Sequence, residues 1–223
     1  MKAPKPRILA VDVCGTLYDT NTTAGLVIFH HARRGHRWRH AILTALSRRK
    51  GILRTGLVVI AKLTGFDAHR ALVLASLRGE SLTSVQASAT RYVTDHLPRH
   101  AILATHARVD QMRAAGWKPV LVSNAIAPVI EEIARQLDLP CIASQPRVRA
   151  GRLTGRLSHD LTGQKRKAVE VYLNTSLDKV HFAVITDNKS DQDLVAVAKP
   201  AVLVAPGTPR KWMRDWDADI LCH

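Results

Sequence analysis

Acidic residues are scarce in this chain of 223 residues: 18 Asp and Glu stand against 33 Lys and Arg, a formal net charge of +15. That balance disfavours a cationic partner and points to an anionic substrate or surface. The scarcity is also local. Between Asp19 and Asp67 there is no acidic side chain, while the same stretch holds nine Lys or Arg and four His. Cysteine is rare too. Cys14, Cys141 and Cys222 are far apart, odd in number and without CxxC or zinc-finger spacing. A disulfide framework is therefore excluded, and a reduced, cytoplasmic setting is expected. Aromatic residues reach only 4%, few for stacking bases, and no RNP, zinc-finger or helix-turn-helix signature is present, so nucleic acid is not an expected partner. No stretch attains the roughly 18 to 20 apolar residues of a spanning helix. Asp12 interrupts the apolar run that follows Met1-Lys2, which argues against a signal peptide. Internal repeats and low-complexity tracts are absent.

What is there is a large apolar fraction, 46%, mostly Ala, Leu and Val. It suffices for one large domain, or for a core domain carrying an insertion. Residues 7–13 read as a first strand, whose buried apolar run Ile8-Leu9-Ala10-Val11 ends in Asp12. Residues 20 to about 105 read mostly as helix. After that, helices and strands alternate: a helix over 106–115 closed by Gly116, a strand over 118–123, a helix over 127–137 with Pro128 in its first turn, and a short strand over 141–144. A hairpin over 147–157 turning at Ala150-Gly151 follows, then a helix over 164–173, a strand over 180–186, a short helix over 191–198 and a last strand over 201–205. Alternation of this kind predicts an α/β fold with a Rossmann-like, doubly wound parallel sheet. The helical block then becomes an insertion, a cap over residues 18–105, with residues 1–17 and 106–223 forming the core.

Ligands of open α/β sheets bind at the carboxyl ends of strands. Four such ends carry chemistry here. Asp12 follows the first strand. Ser123-Asn124 follows the second. Lys165 opens a later helix. Asp187 follows another strand, with Asp191 four residues on. Paired carboxylates can hold Mg²⁺, a hydroxyl and an ammonium can hold phosphate oxygens, and a further carboxylate can attack phosphorus.

This order resembles the haloacid dehalogenase superfamily. Its first motif, DxDGT, matches Asp12-Val13-Cys14-Gly15-Thr16 except at Cys14. The second matches Ser123 in LVSNA, the third a lysine in GQKRK, and the fourth, DxxxD, matches Asp187 and Asp191. The segments IASQ, GRLTGRL and GQKRKAVEVYL are similar to the phosphoserine-phosphatase-like branch with its helical cap. IASQ and the basic, apolar cap also look like lipid phosphatases acting on phosphatidylglycerophosphate. The resemblance implies an aspartyl-phosphate formed on Asp12. It implies Mg²⁺ held by Asp12, the backbone carbonyl of Cys14, and Asp187, with Asp191 supporting. Thr16, Ser123, Asn124 and Lys165 would position the phosphoryl group. Lys165 and Lys167 compete for the lysine role; Val169 and Tyr172, at i+4 and i+7 from Lys165 on the expected buried face, favour Lys165.

Cys14 replaces the family's second aspartate, which protonates the leaving group and then activates water. A thiol with an ordinary pKa of about 8.5, raised further by nearby carboxylates, serves this role poorly. Binding and phosphoryl transfer survive such a change, whereas turnover slows. A degenerate protein that only binds anionic ligands or membrane, and a phosphotransferase of the same superfamily, are the alternatives. In the cap, Arg33, Arg34, Arg37, Arg39, Arg48, Arg49, Lys50 and Arg54 stand beside the apolar run Gly56 to Leu63. That pairing suits an anionic bilayer surface as well as a solvated helix face, so a phosphorylated lipid is one candidate substrate and a peripheral membrane position one candidate location. His30, His31, His36 and His40 have no carboxylate nearby in sequence and read as cap surface rather than a zinc site.

Overall fold

The computed structural model describes residues 5–47 and 67–223. Arg48, Arg49, Lys50, Arg54 and the apolar run 56–63 lie outside the described residues. Strand β1 (Arg7–Val11) is followed by helices α1 (Thr22–Arg33), α2 (Arg37–Ser47), α3 (Ala68–Ser76), α4 (Leu82–Asp95) and α5 (Leu103–Ala114). The alternating half runs β2 (Lys118–Ile126), α6 (Ala127–Leu137), β3 (Cys141–Arg149), β4 (Arg152–His159), α7 (Lys165–Leu173), β5 (His181–Thr186), α8 (Gln192–Val195), β6 (Ala201–Ala205) and β7 (Asp219–Cys222). The seven strands form one sheet in the order β4-β3-β2-β1-β5-β6-β7, parallel except for the β3–β4 hairpin.

The continuous apolar strands reflect burial on both faces. In β1, Leu9 and Val11 point into one hydrophobic cluster, shared with Leu26, Val85 and Ile130 of α1, α4 and α6. Ile8 and Ala10 point into the other, shared with Val169 of α7 and Leu194 of α8. The sheet is thus sandwiched between helical layers, as a doubly wound fold requires. From β1 the chain proceeds to β2 and β3 on one side, then returns to place β5 on the other side of β1. The crevice between β1 and β5 is therefore the topological switch point, where ligands of such sheets bind.

Sequence and structure differ at several elements. β7 is an additional edge strand; its four residues are mostly exposed and lie beyond a 3₁₀ turn, so no apolar alternation marks it. β3 does not stop at Ser144 but runs on into the hairpin, whose turn residues Ala150 and Gly151 have φ of 47° and 72°, the left-handed pair that tight hairpins favour. The helix expected over 191–198 is a 3₁₀ turn (Lys189–Asp191) and a single turn of α8, because the chain must drop back at once into β6. Tyr172 is half exposed rather than on the buried face of α7, where Val169 is buried.

The histidines differ most. His30 and His31 are fully buried, not surface residues of the cap. They lie on the inward face of α1 with Leu26 and Val27. Burial pushes both pKa values down, that of His31 to about 4, so both rings are neutral near pH 7. The carboxylate that sequence proximity did not supply comes from Glu80, 50 residues away.

Candidate active site

Asp12 extends β1 by one residue, its N–H donating to the Ile185 carbonyl of β5 at 2.9 Å. Its side chain is buried at the switch point. Lys165, at the first turn of α7 and 3% exposed, donates to Asp12 Oδ1 and to Asp191 Oδ2, both at 2.8 Å. Lys167 is exposed. Asp191 is held further by the Thr186 hydroxyl at 2.7 Å and the Ser190 hydroxyl at 3.3 Å. Thr16 Oγ1 lies 3.5 Å from Asp12 Oδ2 and 3.2 Å from Asp187 Oδ1, and accepts from the Asp187 N–H at 3.0 Å. One hydroxyl thus joins the ends of β1 and β5.

The electrostatics follow from crowding. Burial, and then the charge of Asp191, push the Asp12 carboxyl up, while Lys165 pulls it down. Burial and the Asp12 charge push Asp187 up to about 6. Lys165 goes the other way: burial opposes its charge, but Asp12 and Asp191 outweigh that and hold it protonated far above the neutral range. Carboxylates pushed up by one another form a site that a cation relieves. The donors are hard oxygens, those Mg²⁺ prefers. Gly15 supports the same conclusion. Its φ is +79°, and a Cβ there would stand 2.4 Å from Asp187 Oδ2, so the backbone after Cys14 can approach the second carboxylate only because the side chain is absent. The residues fit a divalent cation held by Asp12, Asp187 and the intervening backbone. Gly15→Ala is expected to displace Asp187 and destabilise the fold by about 1–3 kcal/mol; urea unfolding checks it.

The sequence profile of the haloacid dehalogenase-like hydrolases matches residues 9–196, from β1 through α8. The chain belongs to this family. Solved structures agree on the fold. A Bordetella pertussis Tohama I protein whose function is unknown superposes with a TM-score of 0.77 at 19% identity, covering 96% of this chain and 98% of that one. A phosphoserine phosphatase in its apo form gives 0.61 at 14% identity, covering 97% and 94%. A phosphoserine phosphohydrolase-like protein from Francisella tularensis gives 0.61 at 11%, covering 96% and 94%. No curated protein sequence matches the chain.

In this hydrolase the other motif residues lie around the same crevice. β2 runs three residues beyond the strand expected over 118–123; Ser123 is fully buried within it, and its hydroxyl accepts from the Ala125 N–H at 3.2 Å. Between Ser123 and Ile126 the β2–β3 register shifts. This bulge turns Asn124 out of the ladder, towards a cavity of about 190 Å³ that Cys14, Asn21, Thr23, Arg70 and Asn188 also line. Cys14 is half buried, its Sγ 3.0 Å from Thr22 Oγ1 at the start of α1. Burial and then the Asp12 charge push its thiol up, so it holds its proton.

Arg70 was not legible as a site residue. It stands on α3, with Nη2 donating to the Asn124 carbonyl at 2.7 Å and Nη1 to Asp160 at 2.8 Å and Thr162 at 2.7 Å. An arginine three residues after Asp67, in a helical stretch with no motif, gives no local sign of such an anchor.

Proposed function

We propose that this hydrolase is a Mg²⁺-dependent phosphomonoester phosphatase in which Asp12 attacks phosphorus and is transiently phosphorylated. The observation that carries this reading is the convergence of Asp12, Asp187 and Lys165 at the switch point through the contacts of Thr16 and Asp191. Asp12 forms the new P–O bond as the ester oxygen leaves, and water then cleaves the aspartyl-phosphate to inorganic phosphate. Lys165 keeps a positive charge beside the attacking carboxylate and lowers the repulsion met by an incoming phosphate. Ser123, Asn124 and Thr16 offer hydroxyl and amide groups to its oxygens. Mg²⁺, held by Asp12, Asp187 and the Cys14 carbonyl, supplies neutralisation of the charge on the transferred group. Asp191, its oxygens taken by Lys165, Thr186 and Ser190, serves by fixing Lys165. The helices between residues 18 and 105 act as the cap that closes the crevice.

Phosphate release from a panel of phosphomonoesters, with Mg²⁺ and with chelator, tests this directly. Because Asp187 must be ionised to bind the cation, apparent Mg²⁺ affinity should fall as pH drops through about 6, with proton release on binding below that pH. Calorimetric titration in two buffers of different ionisation enthalpy checks it.

Cys14 limits turnover in this reading, since a protonated thiol donates weakly to a leaving oxygen. Cys14→Asp should raise phosphate release by about 10²-fold or more. No gain, together with undetectable phosphoenzyme in both proteins, would favour a catalytically degenerate binder. Phosphoenzyme that persists would favour a phosphotransferase.

The cavity is small and polar, sized for the head of a phosphate ester. Trp38 and Ile42, 84% and 56% exposed one turn apart on α2, with Arg37, Arg39 and His40 in the same first turn as Trp38, support a lipid-borne substrate at an anionic bilayer surface. No helix among the described residues is long and apolar enough to cross a membrane. Flotation with anionic but not neutral vesicles, weakened by Trp38→Ala, is the expected result.

A further inference from the structure

A second cluster of ligating side chains lies outside the switch point. His30 and His31 sit on the last turn of α1, His36 in the turn to α2, and Glu80 in the turn between α3 and α4. Among the described residues, His30, His31 and Glu80 are the group whose ligand atoms all lie within 4.8 Å of one another. His36 joins them: its Nδ1 is 3.1 Å from His31 Nδ1 and 3.5 Å from Glu80 Oε1. His30 Nε2 is 3.3 Å from Glu80 Oε2.

The hydroxyls behind the two buried rings fix which nitrogens are bare. Ser76 gives its proton to the Val73 carbonyl at 2.7 Å, so it accepts from His31 Nε2 at 3.2 Å. That places the ring proton on Nε2 and a lone pair on His31 Nδ1. Ser88 gives its proton to the Ser84 carbonyl at 3.0 Å, so it accepts from His30 Nδ1 at 2.9 Å. That leaves a lone pair on His30 Nε2, aimed at a carboxylate oxygen. Two acceptors facing each other at 3.3 Å inside the protein repel unless something positive stands between them.

We propose that His30, His31, His36 and Glu80 form a Zn²⁺ site within the helical segment. Imidazole nitrogens with one carboxylate suit Zn²⁺ over Mg²⁺. Zn–N bonds of about 2.0–2.1 Å in a tetrahedron put neighbouring donors about 3.3 Å apart; His31 Nδ1 to His36 Nδ1 is 3.1 Å and His30 Nε2 to Glu80 Oε2 is 3.3 Å, while His36 Nδ1 lies 3.5 Å from the other Glu80 oxygen, Oε1. The outer partners of a zinc site are also in place. Ser76 and Ser88 orient the rings from behind, and Arg39 holds Glu80 Oε1 at 2.9 Å, as ligating groups require. The backbone presets the cluster: His36 N–H donates to the His31 carbonyl at 2.9 Å, and Glu80 is tied to β4 by the Leu153 N–H at 2.8 Å. A bound ion would join α1 and the turn leading into α2 to the α3–α4 turn and, through it, to the hairpin.

The test uses the full-length protein with Mg²⁺ saturating, so that the carboxylates of the switch point are occupied. Zn²⁺ alone is titrated by equilibrium dialysis, and Co²⁺ is substituted to read the visible bands of a tetrahedral nitrogen-rich site. One equivalent of Zn²⁺, tetrahedral Co²⁺ bands and a raised melting temperature are expected. Buried His30 and His31 are poor first targets because their replacement threatens folding, so partly exposed His36 is truncated and buried Glu80 is changed only to its isosteric amide. His36→Ala and Glu80→Gln, each checked for fold by circular dichroism, should each weaken Zn²⁺ binding at least tenfold, and Asp187→Asn should leave it unaltered. Absence of stoichiometric Zn²⁺, or wild-type affinity in either folded variant, would reduce the cluster to an ion-paired network of Glu80 with His36 and Arg39 and overturn the proposal.

Discussion

Asp12→Asn is expected to lower phosphate release by about 10⁴-fold or more and to abolish covalent labelling of the protein by a phosphoryl donor. An amide of the same shape cannot form the acyl-phosphate bond, and removal of an attacking group costs more than removal of any orienting one. The substitution is informative because it leaves the scaffold nearly intact. Lys165 keeps Asp191 as a partner at 2.8 Å, and the amide oxygen of Asn can still accept from the lysine. The charged form of Asp12 is already disfavoured by burial and by Asp191, so a neutral side chain there removes repulsion as well as attraction. The melting temperature should consequently stay close to wild type while activity disappears. Residual phosphate release within tenfold of wild type would remove Asp12 from the attacking role.

Lys165→Met should have the largest effect on stability. The variant leaves Asp12 and Asp191 buried without their shared cation. Breaking a buried pair by removing one partner costs about 3–5 kcal/mol, and two carboxylates are orphaned here. The pH dependence has a definite sign. In the variant the Asp12 carboxyl, pushed up by burial and by Asp191 and no longer pulled down by Lys165, holds its proton more tightly than in the unfolded chain, so the native state binds more protons and stability rises as pH falls. The deficit relative to wild type should therefore be large at pH 7 and smaller at pH 5. In the wild-type protein, the raised pKa of Lys165 keeps its stabilising contribution present throughout the neutral range, lost only in strong alkali. Urea unfolding of both proteins at the two pH values reads the deficit. A deficit under about 1 kcal/mol at pH 7 would contradict the buried arrangement of the three groups.

The elements read most accurately from the sequence were those whose signals are local. α6 runs over Ala127–Leu137, the span set by Pro128 at its start and the end of its apolar periodicity. β6 occupies Ala201–Ala205, an uninterrupted apolar run. The hairpin turns at Ala150-Gly151 because few residue pairs tolerate that backbone. β7 escaped notice for the converse reason: a short, exposed edge strand is held by its neighbour β6, not by any pattern of its own.

The same division holds for the candidate site. Asp12, Ser123 and Asp187 are legible because each terminates an apolar run, and a strand's end is a position along one segment. The pairing of Lys165 with both Asp12 and Asp191, 153 and 26 residues distant, is a fact of assembly. So is the anchoring of Asn124 by Arg70, which arrives from 54 residues upstream. The histidines show the limit most sharply. A basic stretch without a single acid looks like a solvated surface, yet α1 turns His30 and His31 inward and the fold brings Glu80 to them.

The sequence by itself determined the architecture and the chemistry available at the strand ends, because periodicity and turn residues act over a few neighbours. The tertiary structure decided which charges are buried together, what they compensate, and hence which of them can work. Electrostatic energy depends on distance through space and on exclusion of water, and neither is a property of order along the chain.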